Sequence, residues 1–235
     1  MAVYPSVLTA SQVAANYATG TTNGAAYPAQ VLALQPGLYL RLDDTSTNTP
    51  AVNLGSLGAA ANGRYQSVQP SATDLDSPAF PGFGSANRGV VFDGTGQAMA
   101  IDNTNVPVPW TMNCWVNRQD APGASAVLMY SPSAGIKLEQ FGSATRNVGF
   151  TAYGVADYTF DNYSAPAGTW AQLSFVCSSG GTLLYANGEL VDSNSATITL
   201  PMTSLASPNG DLLAGTVDEV ATFNQALLQG QVKTL

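Results

Sequence analysis

Histidine is absent from the chain, and of its 235 residues only 7 are Lys or Arg and 15 are Asp or Glu. Without an imidazole, Ser-His-Asp and Cys-His nucleophilic mechanisms and histidine-ligated zinc sites are excluded. Charged residues make up 9% of the chain, against about 25% in an average soluble domain. The formal charge of −8 rests on so few basic residues that nucleic acid and anionic membrane surfaces are not expected partners. No apolar run approaches the roughly 18 residues of a membrane span, so no membrane insertion is expected. Met1-Ala-Val-Tyr-Pro-Ser6 has neither a basic region nor a continuous apolar stretch, so no signal peptide is expected there. Two cysteines are too few to define a disulfide framework.

What is present is neutral and turn-rich: 45% hydrophobic residues with 23 Gly and 14 Pro. Disorder pairs low hydrophobicity with high charge, and this composition has neither. Gly37-Leu-Tyr-Leu-Arg-Leu-Asp43 alternates Leu38, Leu40 and Leu42 against Tyr39 and Arg41, as a half-buried strand does. Strand-like runs recur over residues 89–92, 97–101, 110–116, 126–130, 136–141, 148–153 and 170–177. Thr182-Leu-Leu-Tyr-Ala-Asn-Gly-Glu-Leu-Val-Asp192 reads as a hairpin turning at Asn187-Gly188, where positive φ is tolerated. In the last run, residues 215–223, alternation places Val217, Glu219, Ala221 and Phe223 on one face. Many short strands between turn signals predict an all-β, antiparallel two-sheet sandwich. A short helix is expected over residues 8–19, with Thr9 or Ser11 at its start and Gly20 after its end.

Residues 2–16 lie over residues 221–235 without gaps. Ala2, Leu8, Gln12 and Val13 fall on identical residues at 221, 227, 231 and 232, and Tyr4 falls on Phe223. An opening segment that repeats the closing one suits a tandem array, or an arm that docks where such a tail docks. The expected organisation is therefore an N-terminal arm with helix and linker, 1–36, followed by a sandwich domain, 37–235.

Gly215-Thr-Val-Asp-Glu-Val-Ala-Thr-Phe-Asn-Gln-Ala-Leu227 resembles the closing strand and short helix of laminin G-like domains of the concanavalin A-like lectin/glucanase group. Other motifs follow that family's order: Tyr39-Leu-Arg-Leu-Asp-Asp44, Val90-Val-Phe-Asp-Gly94, Trp110-Thr-Met-Asn-Cys-Trp-Val116, Gly168-Thr-Trp-Ala-Gln-Leu173 and Leu184-Tyr-Ala-Asn-Gly188. The resemblance spans residues 37–235 and implies a jelly-roll. Its members bind glycans, proteins or cell surfaces, often with a calcium ion, and a related branch hydrolyses glycans. Fold alone does not choose among these.

Glycoside hydrolysis needs two carboxylates about 5 to 9.5 Å apart. Glu139, Glu189 and Glu219 are the only glutamates, and none stands in the Glu-x-Asp-x-x-Glu pattern of the family's hydrolases. Asp218 and Glu219, as strand neighbours, are expected on opposite faces. No enzymatic activity is expected. The resemblance implies a calcium (Ca2+) site at Asp218 and at Asn53, where the family commonly has Asp; structural hydrogen bonding by Asp218 is the favoured alternative. Cys114 and Cys177 are expected to point into the core as free thiols, a bridge requiring neighbouring strands. The aromatic and acidic run holding Tyr153, Tyr158, Asp161 and Tyr163 is the candidate ligand-binding segment, since recognition residues concentrate on loops and edge hairpins.

The expected role is a non-catalytic surface-display or structural module with a lectin-like sandwich. It is read as a bacteriophage virion protein, a capsid decoration or fibre subunit at the virion surface. The expected partners are other virion or array subunits, contacted through the N-terminal arm in an oligomer, and cell-surface glycans. The alternative is a secreted extracellular carbohydrate-binding adhesin of a bacterium, and the third reading is a glycoside hydrolase.

Overall fold

The computed structural model describes residues 26–70, 80, 82–84, 86–119, 125–140 and 146–235. The helix expected over residues 8–19 lies outside them. Among the described residues, fifteen strands form two antiparallel sheets, as expected of a jelly-roll sandwich.

The first sheet contains β1 (Leu38–Leu40), β3 (Gln69–Pro70), β4 (Val90–Asp93), β6 (Trp110–Arg118), β11 (Trp170–Ser178), β12 (Gly181–Ala186), β13 (Glu189–Asn194) and β15 (Ala214–Phe223). Its order is β13-β12-β11-β6-β15-β4-β3, with β1 also pairing β15. The second contains β2 (Arg64–Gln66), β5 (Ala98–Ala100), β7 (Ala126–Tyr130), β8 (Ala134–Glu139), β9 (Gly149–Ala152), β10 (Ala156–Thr159) and β14 (Ser204–Leu205), ordered β10-β9-β8-β7-β14-β5-β2.

Period-2 alternation builds the core between the sheets. Trp110, Met112, Cys114 and Val116 of β6 and Ala171, Leu173, Phe175 and Cys177 of β11 all point inward. Trp110 is completely buried, and its indole N–H donates to the Ile198 carbonyl at 2.9 Å, so the ring is sequestered without an orphaned donor. The hairpin between β12 and β13 turns where expected, with φ of 50° at Asn187 and 77° at Gly188. Cys114 lies opposite Leu173 and Cys177 opposite Trp110. The two thiols are thus on neighbouring strands but four residues out of step, about 13 Å at the usual strand rise. That is too far to bridge, and both are buried and free.

Two expectations are corrected. The register of β15 against β6 shifts between Asp218 and Ala221, and Glu219 adopts φ of 50°. This bulge turns Val217 and Val220 toward the inter-sheet core and Ala221 and Phe223 to the outer face. The four residues read as one face are therefore split, because a bulge inserts a residue without interrupting the alternating sequence. The second correction concerns the arm. Residues read as linker contain helix α1 (Ala26–Ala33), whose Tyr27 and Val31 are buried against the first sheet. There they meet Tyr39, Trp115, Val176 and Tyr185 of the sheet and Leu227, Val232 and Leu235 of the tail, which carries helix α2 (Gln229–Val232).

Candidate functional site

Three arrangements bear on function: a polar cavity on the second sheet, an aromatic groove on the first, and a sealed carboxylate network.

The cavity, of about 390 Å³, lies where the β9–β10 hairpin curls over the outer face of the second sheet. Gly154, at φ of 77°, makes the turn, a backbone conformation that favours glycine. Lys137 and Thr151 share the outward face because their neighbours Ile136, Leu138 and Phe150 point into the core. Tyr153 lies back across β8 over Gly135, where a Cβ would stand 2.8 Å from the tyrosine hydroxyl oxygen and displace the ring. The hydroxyl donates to Asp211 Oδ2 at 2.8 Å. The Lys137 ammonium pairs with the same oxygen at 2.5 Å and stands 5.3 Å from the centre of the Tyr153 ring. Burial, reinforced by the Asp211 carboxylate, pushes the Tyr153 hydroxyl well above its usual pKa. On the hairpin wall, Thr151 Oγ1 donates to Asp157 Oδ1 at 2.7 Å.

Of the residues expected to bind ligand, only Tyr153 lines this cavity. Tyr158 faces the other side of the sheet and stacks on Phe150 at a centroid distance of 5.0 Å. Tyr163 is half-buried against the core, and Asp161 is an exposed turn residue that accepts from Thr159 Oγ1 at 2.6 Å. Sequence reasoning overlooked Lys137 and Asp211. One signal was legible, since Lys137 is the single cation within the apolar run Ile136–Leu138, a costly placement unless paired.

The groove, of about 370 Å³, opens on the first sheet between α1 and the tail. Phe80, Phe83, Trp115 and Trp170 line it together with Gln172 and Lys233. Its aromatic rings are largely committed to one another: Trp115 meets Phe80 and Phe83 edge-on at 5.1 and 5.3 Å, and its N–H donates to Tyr27.

The sealed network is a consequence of the bulge. Asp218 and Glu219 are fully buried and tied together through Arg41 and Asn87. Arg41 reaches Glu219 Oε1 at 3.2 Å and Asn87 Oδ1 at 3.3 Å, Asn87 donates to Asp218 Oδ2 at 2.6 Å, and Tyr39 donates its hydroxyl to Glu219. The expectation that adjacent strand residues keep these carboxylates apart is corrected by the same bulge. Burial pushes the Glu219 carboxyl up to about 7 against the pull of Tyr39 and Arg41. Burial and the neighbouring Glu219 hold Asp218 well above its usual value.

The calcium expectation does not fit these donors. Asn53 Oδ1, the only hard ligand atom of its side chain, already accepts the backbone N–H groups of Tyr39 and Gly55 at 2.7 and 2.9 Å. Both oxygens of Asp218 are likewise engaged, by Asn87 and by the Glu219 N–H. Among the described residues no group of three or more acidic or cysteine side chains is arranged to hold a metal ion.

Residues 93–233, more than half of the chain, match the family described as the concanavalin A-like lectin/glucanases superfamily. The chain belongs to this superfamily. The motifs at Trp110–Val116, Gly168–Leu173, Leu184–Gly188 and Gly215–Leu227 fall inside the matched stretch, and Tyr39–Asp44 precedes it. Among solved structures, this superfamily member is similar to domain 4 of AbnA, a GH43 extracellular arabinanase from Geobacillus stearothermophilus, in complex with arabinotriose. The identity is 15%, with 85% of this chain and 97% of that one covered and a TM-score of 0.57. It is also similar to Trypanosoma rangeli sialidase in complex with the inhibitor DANA, at 14% identity, 84% and 32% coverage and a TM-score of 0.53. A mutant of that sialidase displaying trans-sialidase activity gives 12% identity, 88% and 36% coverage and a TM-score of 0.57. The chain thus spans about a third of each sialidase. These likenesses show the fold. No curated protein matches the chain.

Proposed function

We propose that this superfamily member is a non-catalytic module that contacts a glycan through the Lys137–Tyr153–Asp211 cavity. The observation that carries the reading is a recessed site with one aromatic face, fixed polar groups and a buried, paired ammonium, the mixture that orients small polar ligands. The similar arabinanase domain in complex with arabinotriose supports a sugar as the ligand. Contact rather than cleavage is favoured because a glycosidase needs a carboxyl held protonated beside the scissile bond. The two carboxyls that burial raises, Asp218 and Glu219, are sealed inside the fold. A broad glycan array should show binding that Tyr153→Ala lowers at least about tenfold, the loss of roughly one good contact. Absence of binding across the array rejects the reading.

Display in many copies through the N-terminal arm is the second part of the proposal. It is supported by where the repeated residues fall: Ala221, Phe223, Leu227 and Val232, the counterparts of Ala2, Tyr4, Leu8 and Val13, are the buried anchors of the tail. Gln231, the counterpart of Gln12, accepts the Leu228 N–H at 2.9 Å and so caps α2. The segment 2–16 therefore repeats the residues that fasten a tail to a sandwich. In this proposal it fastens the module to a neighbouring subunit, on a virion surface or, alternatively, in a secreted adhesin. Deleting residues 1–25 should leave a folded protein that no longer joins its particle or oligomer, and unchanged incorporation rejects the idea.

A further inference from the structure

The cavity's unequal supply of hydrogen-bond donors and acceptors narrows the ligand further, an inference that rests on the glycan reading above. Its side-chain donors are committed internally: the Tyr153 hydroxyl to Asp211, and the Thr151 hydroxyl to Asp157. Lys137 keeps protons to spare, but its side chain is only 2% exposed, and its ammonium is drawn down to Asp211. The acceptors are not exhausted. A carboxylate offers about four lone-pair sites, and the exposed Asp157 receives a single side-chain hydrogen bond, from Thr151.

Charge points the same way. Two carboxylates, Asp157 and Asp211, face one ammonium across the cavity. Lys137 and Asp211 offset one another, which leaves the Asp157 charge uncompensated by any described cation. Arg118 and Arg146 do not line the cavity, and both pair with Glu139. Such a site attracts groups that donate hydrogen bonds and repels further negative charge.

We infer that the cavity selects a neutral or amino sugar residue, presenting adjacent hydroxyls or a free amine to Asp157 and Asp211, and rejects acidic sugars. Sugar hydroxyls and ammonium groups supply the protons that the walls lack. Carboxylate and sulfate substituents only accept, and would meet Asp157 directly. The exposed Val155 at the rim and the Tyr153 ring provide the apolar surface on which a sugar's C–H face rests.

Isothermal titration of the full chain with matched oligosaccharides of neutral hexose, free hexosamine and uronic acid tests this. Neutral or amino forms should bind at least about tenfold more tightly than the uronic acid, a discrimination like charges at close range readily supply. Asp157→Asn should weaken hexosamine binding and shrink the penalty on uronic acid by about the same factor. Equal or tighter binding of the uronic acid, or an unchanged preference in Asp157→Asn, overturns the inference while leaving glycan binding intact. Failure of all three sugars to bind overturns the glycan reading and this inference with it.

Discussion

Two pairs of carboxylates in one chain have been put to opposite uses. Asp218 and Glu219 are adjacent in sequence, fully buried and enclosed by Tyr39, Arg41 and Asn87. Asp157 and Asp211 are far apart in sequence and meet at an open cavity. Burial raises the first pair and makes its ionisation a matter of stability. The second pair stays in reach of water, where charge and unused lone pairs can act on a ligand. The same side-chain chemistry is structural in one setting and available for recognition in the other, and the difference is access to solvent.

The largest expected effect removes one member of the sealed pair. Glu219→Ala takes away the acceptor of both Tyr39 and Arg41; Arg41 keeps Asp43 at 3.0 Å, but the buried Tyr39 hydroxyl loses its partner and a void replaces the Glu219 side chain. A loss of about 2–3 kcal/mol in denaturant unfolding is expected. A loss below about 1 kcal/mol would mean that this network does not hold the bulge.

Next comes pH. Glu219 has a folded-state pKa raised from an ordinary 4.5 to about 7, so the folded protein binds the extra proton. The associated stability is fully present below about 4.5 and is lost as pH rises through 7. The Glu219 contribution to unfolding free energy should fall by roughly 2.5 kcal/mol between pH 5 and pH 8. Glu219→Gln should make the fall shallower, the buried Asp218 keeping the remainder. A wild-type profile that rises over this interval would place the proton on the wrong state.

The sequence carried the long strands and withheld the features that make the sites. In β6, β11 and the β12–β13 hairpin, alternation and Asn187-Gly188 were enough, because each residue's partner lies a strand away on a regular lattice. Strands β2, β3, β10 and β14 run for two to four residues, too short for any period to show. Helix α1 is apolar on nearly every side in Ala26-Tyr-Pro-Ala-Gln-Val-Leu-Ala33, so it has no polar stripe to reveal it. The bulge at Glu219 leaves no mark on the apolar pattern. In the cavity, the Tyr153 segment was visible as an aromatic and acidic run, but choosing Tyr153 over Tyr158 requires knowing which face of β9–β10 meets the core. Asp211 joins Lys137 across 74 positions, a pairing set by sheet topology.

The smallest expected effect sharpens the comparison most. Asp157→Ala removes a charge from the cavity and one hydrogen bond from Thr151. The threonine hydroxyl is not orphaned, because Gln140 Oε1 lies 3.2 Å away and can accept it. The side chain itself is exposed, so no cavity is left in the core. Stability should change by no more than about 0.5 kcal/mol, while sugar binding falls. A loss comparable with that of Glu219→Ala would make the two pairs alike: Asp157 would then be fastening the hairpin, and the site's surplus of acceptors would have a structural cause.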